Sequence, residues 1–474
     1  MAGEANGAFR LVAPRVKRHR SEQKESRADP AVDCNGIEAA GAGAETRFAQ
    51  LGLRRWLCRN ALNMDIRTPT KVQKACIPPI LAGKDVLGCS GTGSGKTAAF
   101  ALPVLQRLGE NPSALACLVL EPARELALQV AGQLRALGAG MNLDCAEIVG
   151  GSDFQSQAVQ LKRLPHVVVA TPGRLHEHLR THELLSSALK NTEVLVLDEA
   201  DRLLADSFEQ ELRYVVACMQ PKRQTMLFSA TMTDSISQLH SMIMRKAAQY
   251  IESEQEGASN QLPPRLMQMY SLVPATIKEA YIAYIVSNLS LYNATTCLVF
   301  ARTCKSVQII AETLAELGIA SVPLHSVLPQ KHRHNSLQRF KAGTVSTLIA
   351  TDVAARGLDL PEVGLVVNHD VPQAPKDYVH RVGRTARNNR RGTAITLVAQ
   401  KEIEKIKAVE AEVGTKLEEA GIKEDDALNR LGRIFAARRA ATMRVSEPDG
   451  FQARLDKHKE RKKARREKQE VNQG

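Results

Sequence analysis

The sequence lacks paired cysteines, a secretory leader and any apolar run long enough to cross a bilayer. Its nine cysteines are scattered without a CxxC pair, and several fall inside apolar runs, which predicts reduced core thiols in a cytosolic or nuclear protein. The missing bilayer-length run predicts a soluble protein without a membrane partner. Metal sites built on cysteine pairs and disulfide scaffolds are therefore excluded as classes.

Acidic residues are also in short supply. Lys and Arg number 64 against 51 Asp and Glu, which gives a formal net charge of +13. This surplus favours a polyanionic partner, nucleic acid before an anionic membrane. A basic protein without such a partner remains an alternative on charge alone.

The 474 residues are enough for two ordinary domains and a tail. Residues 1–46 are rich in Ala and Gly with interspersed charge and lack apolar periodicity, which predicts a disordered extension. Its basic cluster at 15–20 fits a nuclear import signal or a solvated tail equally well. After about Val413 no clear apolar face is visible, and the sequence ends in a run dense in Lys and Arg. We therefore predict a basic, partly helical tail over 413–474, which would bind phosphates non-specifically.

Between these ends, apolar strands alternate with amphipathic helices, which predicts parallel sheets covered on both faces. Strands are expected at Asp85–Cys89, Ala116–Leu120, Val167–Ala170, Val194–Leu197 and Thr225–Phe228, and then at Thr296–Phe300, Ala320–Leu324, Thr347–Ala350, Gly364–Asn368 and Ala394–Val398. A polar run closed by two prolines separates the two series. The prediction is α/β, with domains at 47–251 and 265–412 joined by a linker at 252–264.

A glycine-rich loop follows the first predicted strand and precedes a helix. Backbone N–H groups converge on an oxyanion where no Cβ intervenes, and this loop provides that freedom. Lys96 would reach the β- and γ-phosphates of a nucleotide, and the Thr97 hydroxyl would ligate Mg²⁺. The residues predicted to form this phosphate cradle are Gly91, Thr92, Gly93, Ser94, Gly95, Lys96 and Thr97.

Two adjacent acids, Asp198 and Glu199, follow the strand at Val194–Leu197. Asp198 as a metal partner and Glu199 as the base for an attacking water fit the hydrolysis of a nucleoside triphosphate. Acids at a helix N-terminus are the alternative interpretation of this pair, and the phosphate loop makes it the weaker one.

The ordered set Asp198-Glu199-Ala200-Asp201, Ser229-Ala230-Thr231 and His380-Arg381-Val382-Gly383-Arg384-Thr385-Ala386-Arg387 resembles the DEAD-box ATP-dependent RNA helicases over about 48–413. The resemblance implies two tandem RecA-like domains, each a mostly parallel sheet with helices on both faces. It also implies that both domains close around ATP, Mg²⁺ and single-stranded RNA.

For the nucleotide, the resemblance implies that Gln73 recognises adenine, with Phe48 as the upstream aromatic, and that Asp359 holds the ribose. Arg384 and Arg387 resemble the arginine fingers, and His380 with Arg381 would link them to the carboxylates of the first domain. Fingers on a separate domain make stabilisation of the γ-phosphate charge depend on closure. Ser229, Thr231 and Asp201 would couple the ATP state to RNA.

For RNA, the resemblance implies contacts mainly to phosphates and 2′-hydroxyls, from loops of both domains. The implied residues are Pro122, Arg124, Gly150, Gly151, Thr171, Gly173, Arg174, Arg302, Gln330, Arg333, Thr351 and Gly357.

The sequence departs from the family pattern at several positions. Ala123 stands where a threonine is usual, which removes one hydroxyl contact to the RNA strand, and Ile66 replaces an aromatic. Ser90 and Gly91 replace Ala and Gln or Lys in the phosphate loop, and Asp65 replaces a glycine. The family's Ala-Gly after the fingers is Asn388-Asn389 here.

The predicted function is an ATP-dependent RNA helicase that locally unwinds RNA duplexes. An ATP-gated RNA clamp that scaffolds a ribonucleoprotein is the alternative, and a DNA translocase is disfavoured. The Phe48 to Leu53 opening, Trp56 and the basic tail resemble nucleolar helicases of ribosomal RNA maturation. That likeness implies pre-rRNA as partner, assembly proteins as further partners, a nucleolar location within the nucleus, and a monomer.

Overall fold

The protein is described from a computed structural model, which covers residues 47–91, 93–205, 208–229, 243–244, 249–252, 262, 265–355, 360, 363–386, 391–447 and 450–460. These residues form two parallel sheets, one in each half of the chain. The predicted linker at 252–264 lies almost entirely outside the described residues, and its first residue, Glu252, belongs to a strand. Among the described helices, none is long and apolar enough to cross a membrane.

The first sheet has the strand order β3-β4-β2-β5-β6-β1-β7, and its pairings are parallel. Its strands are β1 (Val86–Cys89), β2 (Cys117–Leu120), β3 (Cys145–Ile148), β4 (Val167–Ala170), β5 (Val194–Leu197), β6 (Gln224–Ser229) and β7 (Gln249–Glu252). The described helices of this half are α1 (Arg55–Asn63), α2 (Lys71–Leu81), α3 (Lys96–Glu110), α4 (Arg124–Leu137), α5 (Phe154–Lys162), α6 (Pro172–Thr181), α7 (Glu183–Ala188), α8 (Ala200–Ala205) and α9 (Glu209–Ala217).

Alternate residues of the central strands serve two hydrophobic cores, one on each face of the sheet. Val194 and Val196 lie in one core, while Leu195 and Leu197 lie in the other. Both sides of the strand are buried, so the sequence shows a continuous apolar run instead of an alternation. This confirms the predicted helices on both faces.

The second sheet has the order β10-β11-β9-β12-β13-β8-β14, again with parallel pairings. Its strands are β8 (Leu266–Leu272), β9 (Cys297–Phe300), β10 (Val322–Leu324), β11 (Thr347–Ala350), β12 (Leu365–Asn368), β13 (Gly392–Val398) and β14 (Glu418–Glu419). The helices are α10 (Lys278–Ser287), α11 (Cys304–Glu316), α12 (Gln330–Lys341), α13 (Asp352–Ala355), α14 (Pro375–Val382), α15 (Ile403–Val413), α16 (Glu424–Leu428) and α17 (Leu431–Val445). Residues 451–460 are also helical.

Four strands were not predicted from the sequence, and each lies at or next to a sheet edge. β3 carries Glu147, which interrupts its apolar run, and β14 is only two residues long. β7 falls where the polar linker was expected to begin, and β8 has partly exposed residues. Edge strands are less enclosed than central ones, so their sequences carry less of the apolar signal used for prediction.

The C-terminal segment differs from the predicted tail. β14 pairs with β8, and α17 packs along α11. Ile434 and Ala427 belong to the same core as the second sheet, and Phe451 is buried against Val327. The expectation of no apolar face after Val413 was therefore wrong, because small alanines and single aliphatic residues form that face.

Candidate active site

A cavity of about 560 Å³ lies at the carboxyl edge of the first sheet. It is lined by Met64, Asp65, Ile66, Arg67, Thr68, Thr70, Gln73, Gly93, Gly95, Lys96, Thr97, Ala98, Glu121, Leu126, Gln129, Val130, Gln133, Leu137, Asp198, Glu199 and Arg384. Twenty of these residues come from the first half of the chain and one, Arg384, from the second. Ligands of open parallel sheets bind at this edge, beyond the carboxyl ends of the strands.

The predicted phosphate loop connects β1 to α3 and forms the floor of this cavity. Gly95 has a φ of +88° and precedes the first residue of α3, Lys96. The left-handed backbone conformation favours glycine, and a Cβ at Gly95 would also displace the Nε2 atom of Gln73. Ser94 Oγ donates to the Gly91 carbonyl at 2.8 Å, which tightens the turn.

Lys96 is folded over its own loop. Its Nζ donates to the carbonyls of Ser90 at 2.5 Å and of Gly91 at 3.2 Å, and the residue is 8% exposed. Thr97, which follows it in the first turn of α3, also lines the cavity. A lysine and a threonine are thereby held at the N-terminus of α3, where the helix dipole favours an anion.

Gln73 connects the start of α2 to the phosphate loop. Its Oε1 accepts from the Thr70 N–H at 3.0 Å, and the Thr70 hydroxyl accepts from the Gln73 N–H, which together form a capping box. Its Nε2 donates to the Gly95 carbonyl at 3.0 Å. An amide has two donors and two acceptor lone pairs, so these contacts leave capacity for a ligand in the cavity.

The two predicted acids follow β5 as expected. Asp198 Oδ1 accepts from the Glu199 N–H at 2.9 Å, and Glu199 has a φ of +48°, a left-handed conformation that is uncommon for a residue with a side chain. Glu199 Oε2 accepts from Arg202 at 2.7 Å. Burial raises the pKa of Asp198 to about 6, although the charge of Lys96 lowers it. An opposing cation would restore the ionised form.

A third carboxylate, Glu121, was missed by the sequence reasoning. It directly follows β2, which lies beside β5, and it lines the same cavity. The signal was available, because an acid at the end of a four-residue apolar strand resembles the pattern that identified Asp198.

Arg384 brings the second half of the chain to the cavity, as predicted for a finger, and it is 4% exposed. Arg387 lies outside the described residues, as do Thr92, Thr231, Gly357 and Asp359. His380 lies on α14, partly buried, and does not line the cavity.

Arg381 was predicted to link the fingers to the carboxylates of the first half, and in this structure it pairs within the second half. Arg381 is 2% exposed, and its guanidinium pairs with both oxygens of Asp352 at 2.6 and 2.7 Å. It also donates to the Asp370 carbonyl at 2.7 Å and lies over the Phe300 ring. These contacts within the second half occupy the guanidinium, so Arg381 braces the second sheet instead.

Of the coupling residues, Ser229 ends β6, and its carbonyl accepts from the Ser90 N–H at 3.0 Å. The end of β6 is thereby tied to the phosphate loop. Asp201 lies in the first turn of α8. Phe48 is not brought to the cavity, because its side chain is 1% exposed within the hydrophobic core.

Three arginines from the predicted RNA set gather near the contact between the two halves. The Arg124 guanidinium lies against Gly150 and Gly151, where a Cβ at Gly151 would collide with it. Burial lowers the pKa of Arg124, and so do the neighbouring charges of Arg333 and Arg174. Crowded, partly desolvated guanidiniums of this kind favour a bound anion.

Glu125 joins the halves at this cluster. Its Oε2 accepts from Arg333 at 2.6 Å and its Oε1 accepts from Gln330 at 3.1 Å, and the Glu125 and Arg333 side chains are 4% and 8% exposed. Arg174 is oriented by the carbonyls of Val149 and Ser152 and lies over the Phe154 ring. The contact between halves is therefore itself part of the arginine cluster.

The remaining predicted RNA residues occupy two kinds of position. Thr171 and Thr351 directly follow β4 and β11, at corresponding places in the two sheets, while Pro122 lies in the loop before α4 and Gly173 in the first turn of α6. Arg302 is engaged elsewhere. Its guanidinium pairs with Glu402 at 2.8 Å, and its backbone N–H donates to Asp370 at 2.9 Å, so it is not part of the arginine cluster.

Both halves of the chain match known protein families. Residues 70–239 match the DEAD/DEAH box helicase family model, and residues 279–389 match the helicase conserved C-terminal domain. Human probable ATP-dependent RNA helicase DDX49 is 44% identical over 402 residues, covering 84% of this chain and 82% of the relative. ATP-dependent RNA helicase DBP8 of Candida glabrata is 42% identical over 427 residues, covering 88% and 98%.

Among solved structures, S. cerevisiae Dbp5 bound to RNA and ADP BeF3 matches with a TM-score of 0.70 at 26% identity, covering 82% of this chain and 99% of that one. The extent and identity of the curated relatives, with both halves matched by family models, show the family. The chain belongs to the DEAD-box ATP-dependent RNA helicases, RNA-stimulated ATPases built on two RecA-like domains.

Proposed function

We propose that ATP and RNA each bind both halves of this helicase and so favour each other's binding through closure. The observation that carries the proposal is the position of Arg384, which reaches from the second half into the cavity built by the first. The ion pair between Arg333 and Glu125 supports it from the RNA side. A ligand that contacts both halves shifts the equilibrium towards the closed form, and linkage makes the effect reciprocal.

For the nucleotide, the phosphates would lie against Gly93, Gly95 and Lys96, and the adenine would meet Gln73. Thr97 and Asp198 suit Mg²⁺, because a hydroxyl and a carboxylate are hard oxygen ligands. The desolvated Asp198 carboxylate, whose pKa is raised to about 6, further fits a cation. Bound magnesium would neutralise charge on the phosphates.

For hydrolysis, Glu199 would take a proton from the attacking water while Arg384 stabilises the charge that develops on the γ-phosphate. Arg202 holds the Glu199 carboxylate at 2.7 Å and so orients the base. Arg387 would act as a second finger. Loss of phosphate would then remove the attraction that holds Arg384 in the cavity, and the halves would separate.

For RNA, the cluster of Arg124, Arg174 and Arg333 would bind consecutive phosphates of one strand, with Gln330 and the strand-end threonines Thr171 and Thr351 alongside. Short polar groups and backbone predominate there, so contacts to the sugar-phosphate chain should outweigh base recognition. A cleft that accepts only a bent single strand would unpair a duplex locally.

Displacement of a short RNA duplex, measured together with ATP turnover, tests this mechanism. Displacement that requires hydrolysable ATP supports a helicase that unwinds. Turnover with RNA retention but without displacement would instead identify an ATP-gated clamp. RNA and DNA oligonucleotides compared as stimulators would reveal a DNA translocase.

We further propose that the target is pre-rRNA in the nucleolus, where the monomeric helicase works with ribonucleoprotein assembly proteins. The N-terminal opening from Phe48 to Leu53, Trp56 and the basic end of the chain support this subgroup. Crosslinking in cells followed by sequencing of the bound RNA tests it. Enrichment of messenger RNA over ribosomal precursors would contradict it.

A further inference from the structure

Glu121 lines the cavity but has no role in the mechanism above. The residue is 1% exposed, and its Oε1 has no hydrogen-bond partner among the described residues. A buried acceptor without a donor is destabilising, more so when it is charged. Because Glu121 also lines the cavity, a donor that arrives with the ligand would satisfy this oxygen.

The strand register places Glu121 beside Asp198. β2 and β5 are neighbouring parallel strands in which Leu120 is paired with Leu197, and the Asp198 N–H donates to the Leu120 carbonyl at 3.2 Å. The next residue on each strand is therefore level with the other, and level residues of neighbouring strands project to the same side of the sheet. Glu121 and Asp198 thus project from the same edge, on the same face.

The charge at this edge is unbalanced. Burial raises the pKa of Glu121 well above its ordinary value, and the charges of Asp198 and Glu199 raise it further, while Arg202 and Lys96 lower it. Arg202 is already paired with Glu199, and Lys96 serves the phosphate loop. A site with three carboxylates on one edge is completed by a cation of higher charge.

Direct coordination by all three acids does not fit. Among the described residues, no group of three or more His, Cys, Asp or Glu side chains is arranged to hold a metal ion. Mg²⁺ usually keeps several of its waters and takes only one or two protein carboxylates together with substrate phosphates. A second carboxylate that meets the ion through water suits both observations.

We propose that Glu121 is a positioning residue for magnesium, whose free Oε1 accepts a hydrogen bond from a water of the ion that Asp198 and Thr97 hold. The inference rests on the magnesium site of the proposed function. The ion would then be held by Glu121 after β2 as well as by Thr97 on α3 and Asp198 after β5. Groups that hold a metal's surroundings in this way contribute about 10- to 100-fold to metal affinity.

Glu121→Gln tests the inference in the full-length protein. Binding of a fluorescent, non-hydrolysable ATP analogue is titrated at increasing Mg²⁺ concentration. The variant should need about tenfold more Mg²⁺ for half-maximal binding. Its affinity for the analogue without Mg²⁺ should not fall, because the substitution removes a negative charge close to the phosphates. A purely structural role would lower both affinities together.

Glu193→Gln is the matched control. Glu193 immediately precedes β5, at the opposite edge of the sheet, where it pairs with Arg107 at 2.9 Å on the surface. This variant should keep the wild-type Mg²⁺ midpoint. Glu121→Asp keeps the charge but withdraws it by one methylene, so its midpoint should lie between those of the wild type and Glu121→Gln.

An unchanged Mg²⁺ midpoint in Glu121→Gln, or an equal loss of analogue affinity with and without Mg²⁺, overturns the inference. Thermal unfolding of the nucleotide-free proteins shows whether each variant is folded, and if Glu121→Gln is not, an unchanged midpoint in Glu121→Asp overturns it. If the wild-type protein binds the analogue without any dependence on Mg²⁺, the proposed magnesium site itself fails. The two failures are therefore distinct.

Discussion

The two sheets of this protein have the same strand order, yet they contribute different groups to the cavity. Adding seven to each strand number of the first sheet gives the order of the second, so every position has a counterpart. At the cavity, the first sheet contributes carboxylates and the phosphate loop, while the second contributes Arg384. The strand arrangement therefore sets where functional groups can stand, and the residues at the strand ends set what they do.

The lysines that begin equivalent helices show this most clearly. Lys96 starts α3 after β1, and Lys278 starts α10 after β8. Lys278 Nζ donates to the carbonyls of His369 and Leu397 at 2.7 and 2.8 Å and to Glu402 at 2.6 Å, which uses all three of its protons. Among the described residues, Lys96 Nζ donates to the carbonyls of Ser90 and Gly91 in its own loop, and a bound phosphate would replace these acceptors. Lys278 is committed to the fold, whereas Lys96 is the lysine for which we propose a ligand.

The acids after β5 and β12 differ in the same way. Burial raises the pKa of Asp198, whereas burial at Asp370 is overcome by a hydrogen bond with His369 and by the Arg302 N–H, which hold its pKa below the ordinary value. Asp370 is stabilised by the protein alone. At Asp198 burial outweighs the stabilising effects of Lys96 and of the Glu199 N–H, which agrees with the magnesium site proposed above.

Replacing Glu199 in the first sheet and Asp370 in the second should give the largest difference between the two edges. Glu199→Gln should reduce RNA-stimulated ATP turnover by about 10³- to 10⁴-fold, because the general base is lost. Equilibrium binding of ATP and RNA should persist. Asp370→Asn should instead act mainly on folding, since it weakens the pairing with His369 and Arg302. Unchanged turnover in Glu199→Gln would remove this residue as the base.

Arg384 should have the next largest effect. Arg384→Ala removes the positive charge that meets the γ-phosphate and should lower turnover by about 100-fold, while nucleotide binding to the first half is kept. Arg387→Ala should act in the same direction. Arg107→Ala, on the far edge of the first sheet, serves as the control and should leave single-turnover hydrolysis unchanged. Wild-type turnover in Arg384→Ala would exclude it as a finger.

The two lysines should differ in what their replacement changes, which is stability for Lys278 and ATP binding for Lys96. Lys278→Ala leaves Glu402 buried without its main partner and should lower the free energy of unfolding by about 3 kcal/mol, measured by denaturant titration. Lys96→Ala should lower that free energy by only about 1 kcal/mol, since it leaves neutral carbonyls and not a carboxylate without their partner, but it should abolish tight ATP binding. Equal losses of stability in the two variants would refute the distinction between a structural and a ligand-binding lysine.

The same distinction explains what the sequence could predict. The phosphate loop and the acids after β5 are contiguous motifs, so their chemistry is visible locally, and the central strands were located to within a residue or two. The partners of Arg381 and Arg302 lie far away in sequence, at Asp352 and Glu402, so the sequence does not show which arginines form ion pairs and which face a ligand. Only the folded chain separates the two uses.

The C-terminal segment is the instructive failure. The buried residues of α17 are Ile434, Ala437, Ala441 and Val445, whose spacing of three and four is that of a helix face. Alanines at two of these positions weakened the apolar signal, although small residues are what close packing against α11 requires. The helical spacing of the apolar residues is present in the sequence, but the alanines make this pattern weak.

The packing of α17 also determines where the chain should be cut to test the basic tail. Removing the tail should have the smallest effect of these changes. Truncation after Arg439 would remove part of α17 and the buried Val445 and Phe451, so it would combine weaker RNA binding with a loss of stability. Ending the chain at residue 460 spares the described packing and removes only residues 461–474, which contain six Lys and Arg against two Glu. The shorter cut isolates the charge.

The shortened chain should bind single-stranded RNA more weakly, and its affinity should depend less on salt, with the slope falling by about 0.7 for each phosphate that the tail no longer neutralises. Turnover at saturating RNA should not change, because the cavity is untouched. A full-length control with glutamine at the six basic positions should match the truncation if charge is responsible. Identical salt slopes for the wild type and the truncated chain would show that the last residues do not contact RNA, and the cluster of Arg124, Arg174 and Arg333 would then account for the phosphate binding.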